Sequence, residues 1–175
     1  ISNDYKEILL ADKIILVGVG HFEKAMLSLK KLNFIPELFE FVVNKKKPIL
    51  GICLGMQILC KFSEEGNVNG LSFISANVNK FSKNTENLKI PHTGWNKLKN
   101  IKSSNLLKNV NVNNEFYFLH SFYVSSIAPR ECISETNYII DFCSVFEKEN
   151  IFGVQFHPEK SHNNGLLIFN NFLNF

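Results

Sequence analysis

The sequence predicts an α/β protein: an open, mostly parallel sheet flanked by helices in three layers, with a smaller mixed or antiparallel portion. Three observations predict it. The apolar runs KIILVGVG (13–20) and PILGIC (48–53) carry glycines where they end and read as strands buried on both faces. A helical pattern follows each run, and strand–helix–strand–helix order requires a parallel sheet covered on both sides. Beyond residue 70, short strand patterns separated by turn residues replace that rhythm and mark the mixed portion.

Taken in order, DYKEILLA (4–11) reads as a short helix before the first strand. HFEKAMLSLKKL (21–32) places Phe22, Met26, Leu29 and Leu32 on one helical face, and PELFEFVVNKK follows as a second helical piece. The run KKK (45–47) suits a solvated helix C-terminus, where positive charge is favoured. After the strand 48–53, LGMQILCKF (54–62) has helical periodicity. LSFISANVNKF, LKIPHTGWNKLK and FYFLHSFYV carry strand patterns, and SNLLKN (104–109) reads as a helical turn. YIIDFCSVFEKENIFGVQFHPEK contains a strand, a hairpin near Glu149 and Asn150, and a return strand into His157. NNGLLIFNNFLNF closes the chain as a helix that turns leucines and phenylalanines to the sheet.

The chain has 175 residues, which makes one domain the default reading. Its 45% hydrophobic and 20% charged content is that of an ordinary globular protein. The net charge of +3 comes from scattered lysines without interleaved aromatics, so a nucleic-acid groove is not expected. Cys53, Cys60, Cys132 and Cys143 show no metal-ligand spacing, and nothing else points to a metal or organic cofactor. There is no signal-like segment, and no apolar run reaches the roughly 18 residues of a membrane span, so a cytoplasmic protein with reduced thiols is expected.

The chemistry concentrates at GICLG, where Gly51 and Gly55 bracket Cys53 between a strand and a helix. A buried core cysteine is one reading. A nucleophile on a tight strand-to-helix elbow is the other, because such a turn needs small flanking residues. The elbow sets the thiol at a helix N-terminus, which favours thiolate, and aims the Leu54 amide at a tetrahedral oxyanion. His157 is placed as the base: it ends a strand, Pro158 biases it to extended backbone, and Glu159 can orient its imidazole. A satisfied histidine at a strand end is the plain alternative. Cysteine elbow and His-Pro-Glu both sit where predicted strands terminate, which is where open α/β sheets place their sites. His120 reads equally as site wall or core. His92 and Trp95, in a glycine-containing loop, read as an interface or lid or as a cap on the core. His21 reads as a helix cap, and the other three cysteines as core filler.

These residues resemble the class I glutamine amidotransferases, and more closely the glutaminase subunits of imidazole glycerol phosphate synthases. The resemblance rests on ADKIIL-GVG, PILGICLGMQ, SEEG (63–66), KIPHTGWNKL, FYFLHSFYV and NIFGVQFHPEKS, and runs from about residue 4 to the end. It implies a three-layer, flavodoxin-like core and a Cys53–His157–Glu159 triad that hydrolyses L-glutamine. It also implies substrate contacts from Gln57, Gly20, His120 and Ser121, and an oxyanion hole from the Leu54 and Val19 amides. Trp95, Asn96, Tyr117, His120 and Lys160 would meet a (β/α)8 synthase subunit in a heterodimer that receives the ammonia.

The sequence departs from that family in three places. Val17 stands where the family commonly has proline, and Thr93 where it has methionine. The family's N-terminal strand–helix–strand segment has no counterpart. A missing segment fits better than a reduced subunit, since losing a buried strand bares an apolar sheet edge. The alternative function is a paralogous amidotransferase that feeds another barrel synthase, such as one acting on a surface-polysaccharide sugar. A cysteine peptidase or esterase would share the triad, and a non-catalytic scaffold would not need it.

Overall fold

The computed structural model describes residues 4–82 and 88–175. Its centre is a parallel set in which β2 (Ile49–Cys53) lies between β1 (Ile14–Gly18) and β11 (Ile151–Val154). Strands on both sides and helices above and below leave all of β2 buried. Its side chains alternate between two cores, as a period of two requires: Ile49 joins one, Leu50 and Ile52 the other.

Three helices cover the first face: α2 (Phe22–Lys31), α3 (Phe34–Phe39), which runs into a π-helical turn at Glu40–Asn44, and α4 (Leu54–Ile58). The preceding α1 (Tyr5–Leu10) contributes Ile8 and Leu9 to the same core. The second face is covered by α5 (His162–Leu173), through Ile168 and Phe172. Much of the chain's phenylalanine is spent there. Phe116 stacks on Phe156 with centroids 4.2 Å apart, and Phe152 meets Phe172 edge-on at 5.7 Å. Each such buried ring contributes about 2–3 kcal/mol.

Lysines secure the helix ends. Lys13 Nζ donates to the carbonyls of Phe172, Leu173 and Phe175 at the C-terminus of α5. Lys47, from the expected solvated run, donates to Ala11 O at 2.6 Å and so ties the end of α1, while Lys46 pairs with Glu149.

The expected α/β architecture is present, and its pairing is mixed. Beyond β11 the sheet continues through β10 (Ile140–Lys148), β8 (Phe122–Ser125), β5 (Ile74–Lys80), β3 (Cys60–Ser63) and β4 (Val68–Asn69). Of these neighbours only β3 and β5 pair in parallel. The hairpin near Glu149 and Asn150 joins β10 to β11, and the Asn150 amide donates to Val42 O and Lys47 O to hold it. A separate antiparallel pair, β6 (His92–Lys97) and β7 (Glu115–His120), stands beside the main sheet.

Two elements differ from expectation. The helix predicted over 54–62 stops at Ile58, and Cys60 starts β3 opposite Ile74. CKFS alternates inward and outward as well as it fits a helix, and pairing with β5 decides for strand. Cys60 is buried as expected, but on a strand. The strand β9 (Cys132–Tyr138), paired with β10, was not expected, because its inward residues include Ser134 and Thr136, which leave no hydrophobic alternation. SNLLKN forms a turn over residues 106–109.

Candidate active site

Cys53 ends β2 and Leu54 begins α4, so the chain reverses at the cysteine itself. Its backbone sits at φ 53°, ψ −110°, a region that costs a non-glycine residue about 1–3 kcal/mol. The flanking glycines make the turn possible. A Cβ on Gly55 would lie 1.8 Å from Leu16 O, and one on Gly51 would lie 2.7 Å from Gly55 O. The elbow is therefore packed backbone to backbone against β1.

The thiol donates to Leu119 O at 3.8 Å and accepts from Gln155 Nε2 at 3.6 Å. Burial pushes the Cys53 thiol up to about 12. The Leu54 N–H pulls the other way, and the negative charges of Glu159 and Glu65 add to the rise. The expected thiolate-stabilising effect of the helix N-terminus is thus outweighed by desolvation: α4 is five residues long and wholly buried. At rest the group is a thiol, and to act as a nucleophile it would need a base.

His157 is placed to act as one. Its backbone is extended ahead of Pro158, and its Nδ1 lies 2.7 Å from Glu159 Oε1. A carboxylate only accepts, so Nδ1 carries a proton, and in the neutral imidazole the lone pair is on Nε2. Nε2 is buried and has no hydrogen-bond partner.

A cavity of about 260 Å³ brings these groups together. Cys53 and His157 line it, with Gln57, Gly20, His120, Ser121, Leu54 and Val19 around them. Glu159 stands behind His157, with its side chain 42% exposed. The Gln57 amide donates to Phe122 O at 3.0 Å and to Gln155 Oε1 at 2.9 Å.

Trp95, Tyr117 and Lys160 form one cluster on the surface. Trp95 is 46% exposed, lies edge-on to Tyr117 and stacks on His162 at 5.2 Å, while Lys160 Nζ sits 5.5 Å from the Tyr117 ring. Asn96 is half-buried and donates to Asn137 O. His120 departs from expectation as a docking residue. It is 6% exposed, and its ring is turned inward to His92 and Phe122 O. His92 is likewise buried, stacked on Tyr138 and Phe118, and forms neither lid nor interface.

Sequence reasoning passed over two residues here. Glu65 lines the cavity, and its Oε2 accepts the Phe22 N–H at 2.8 Å. It thereby caps α2 in place of His21, which occupies the N-cap position without a side-chain bond. The available signal was its place in SEEG, which comes within hydrogen-bonding reach of the helix start only in the fold. Gln155 bridges Gln57 and the thiol from within the strand run GVQF, where alternation hides a polar role. Among the described residues, no three His, Cys, Asp or Glu side chains converge as a metal site would require.

Residues 2–175 match the model of the family described as glutamine amidotransferase class-I. Imidazole glycerol phosphate synthase subunit HisH 2 of Methanococcus maripaludis is 46% identical over 173 residues, covering 99% of this chain and 85% of that protein. Subunit HisH 1 of Campylobacter jejuni is 47% identical over 174 residues, covering 98% and 85%. Among solved structures, one described as glutamine amidotransferase superposes with a TM-score of 0.73 at 14% identity, covering 99% of this chain and 83% of that one.

Proposed function

Because the chain belongs to the class I glutamine amidotransferase family, we propose that it is the glutaminase subunit of an imidazole glycerol phosphate synthase, with residues 1–175 acting as one glutaminase domain. The observation that carries the chemistry is the pairing of Cys53, on a strained elbow, with a His157 whose Nδ1 is held by Glu159 and whose Nε2 is free in the same cavity. The names of the 46–47% identical relatives support the synthase assignment over a paralogue acting on another acceptor.

In this reading His157 Nε2 takes the Cys53 proton as sulfur attacks the side-chain amide carbon of L-glutamine. The Leu54 amide, with that of Val19, stabilises the oxyanion. The imidazolium gives its proton to the departing nitrogen and ammonia leaves. Water, deprotonated by the same imidazole, then hydrolyses the thioester to glutamate. Glu159 stabilises the imidazolium without taking its proton. Gln57 and the backbone of Gly20, His120 and Ser121 hold the substrate, and the Glu65 carboxylate gives its ammonium a counter-charge.

The ammonia passes to a (β/α)8 synthase subunit docked on the face that carries Trp95, Asn96, Tyr117 and Lys160, and the pair forms imidazole glycerol phosphate in histidine biosynthesis. An exposed Trp–Tyr–His cluster with a lysine over one ring is the composition an interface favours. Four free thiols suit the reducing cytoplasm. Reconstitution with such a subunit tests the reading: glutamate and ammonia are expected in equal amounts. A complex that forms yet leaves glutamine untouched would overturn it.

A further inference from the structure

The Cys53 thiol rests between two anchors, Leu119 O and Gln155 Nε2, and both lead to one imidazole. Leu119 precedes His120 in the chain. Gln155 is bonded to Gln57, whose amide donates to Phe122 O, and Phe122 O also takes a bond from His120 Nδ1 at 2.7 Å. His120 therefore braces the wall segment 119–122 from inside. His120 in turn is braced by His92: Nε2 of the first lies 3.0 Å from Nδ1 of the second. On its far side, His92 Nε2 meets Asn96 Nδ2 at 3.2 Å.

The direction of every bond in this chain is determined. A carbonyl only accepts, so His120 Nδ1 bears a proton. At the other end the Asn96 amide is oriented twice over: Nδ2 donates to Asn137 O at 3.0 Å, and Oδ1 accepts the Lys97 N–H at 2.8 Å. Its NH₂ therefore faces His92 Nε2, which must be a lone pair. His92 then has its proton on Nδ1 and donates to the lone pair on His120 Nε2. Both rings are neutral with the proton on Nδ1. Desolvation favours that state, lowering His92 to about 4 and His120 to about 3. A donor lost from His92 would leave a buried acceptor unmet on His120, at the segment that touches the nucleophile.

We propose that His92 is a positioning residue for the nucleophile, acting through His120 and the carbonyls of Leu119 and Phe122 on Cys53. Its consequence for turnover rests on the glutaminase reading; its effect on the thiol does not.

The test uses the full chain, with its synthase subunit for turnover. His92→Phe keeps the stack on Tyr138 and Phe118 but deletes both hydrogen bonds, and His92→Asn restores a donor near Nδ1. The expected result for His92→Phe is a kcat lowered about tenfold with KM changed less than about threefold, and a changed rate of Cys53 alkylation by iodoacetamide. His92→Asn should recover much of both. Nitrogen NMR on the wild-type chain should find both imidazoles neutral with the proton on Nδ1, a readout that needs no variant to fold. An Nε2–H tautomer at either ring overturns the proposal. So does a His92→Phe protein with wild-type kcat and alkylation, or an asparagine variant no better than phenylalanine. If the wild-type complex does not hydrolyse glutamine, the glutaminase reading fails alone, and the alkylation rates and tautomers still decide the role of His92.

Discussion

His157 Nδ1 lies 2.7 Å from Glu159 Oε1, while the opposite nitrogen is buried and has no hydrogen-bond partner. One bond thus sets the tautomer and frees the lone pair that the mechanism needs. His157→Ala removes the proton carrier and should lower kcat for glutamine hydrolysis by roughly 10²–10⁴-fold. Glu159→Gln keeps a neutral acceptor on a half-exposed side chain and should cost less. Steady-state ammonia release in the reconstituted complex checks the order. Near-normal turnover in His157→Ala would assign the base elsewhere.

Cys53 should carry the acyl intermediate. A glutamine-analogue electrophile is expected to modify Cys53 and leave Cys60, Cys132 and Cys143 untouched, as mapped by mass spectrometry. In the isolated chain the Cys53 thiol titrates only near 12. Its thiolate fraction should therefore climb about tenfold per pH unit between about pH 7 and 10, and its alkylation rate should follow without a plateau. A plateau near neutrality would mean that the thiol is already activated at rest.

Acid should weaken the fold through the buried imidazoles. Both titrate near 6.5 when unfolded, whereas in the fold His92 is held to about 4 and His120 to about 3. Below about pH 6.5 the unfolded chain binds protons that the native state refuses, so stability falls as pH falls. The melting temperature should decline from pH 7 to 4.5, and more shallowly in His92→Phe, which loses one of the two groups. Equal slopes in the two proteins would remove His92 from this account.

Gly55→Ala tests the elbow's packing. The new methyl would meet Leu16 O at 1.8 Å, a backbone atom of a strand paired along its length with β2. A flexible neighbour would yield, but this one moves only with the sheet. A loss of about 3 kcal/mol in urea unfolding is expected, with Cys53 displaced. Wild-type stability would show that the elbow is looser than its glycines imply.

The parts of the site that could be read from the sequence are those made by consecutive residues. Gly51, Cys53 and Gly55 define an elbow by spacing, and His157, Pro158 and Glu159 carry their own geometry two residues apart. The parts that could not be read are made by register. Gln155 reaches the thiol because β11 lies beside β2, and His120 faces His92 because β6 and β7 pair those two residues. Glu65 is aimed by a turn that meets the start of α2. The missed strand β9 has a different cause. Its inward Ser134 is buried by hydrogen bonding and its inward Thr136 by small size rather than by hydrophobicity, so a hydrophobic pattern was never written there.

Turnover should depend on the synthase subunit. Three features make the resting site a poor glutaminase. The thiol is parked on Leu119 O, burial holds it protonated, and the His157 lone pair that should receive its proton is unpaired. The second oxyanion donor would be the Val19 amide, whose N–H lies in the Gly18–Val19 peptide; Val19 is 77% exposed, and the lack of a Cβ on Gly18 leaves that peptide room to turn. One missing oxyanion donor costs on the order of 3 kcal/mol, or roughly a hundredfold in rate. A subunit that docks beside the cavity and settles this peptide would therefore raise turnover by at least that factor. Gating also fits the task, since ammonia released without an acceptor is glutamine wasted. Val17, 57% exposed just before this loop, leaves free a dihedral that proline would lock, so the off state should be less complete than in a chain with proline there. Val17→Pro should then lower the basal rate of the free chain while leaving the liganded complex near wild type. Ammonia release is to be measured for the chain alone, with the synthase subunit, and with that subunit holding its own ligand. A free chain as fast as the liganded complex would remove the gate and return the protein to the class of independent hydrolases.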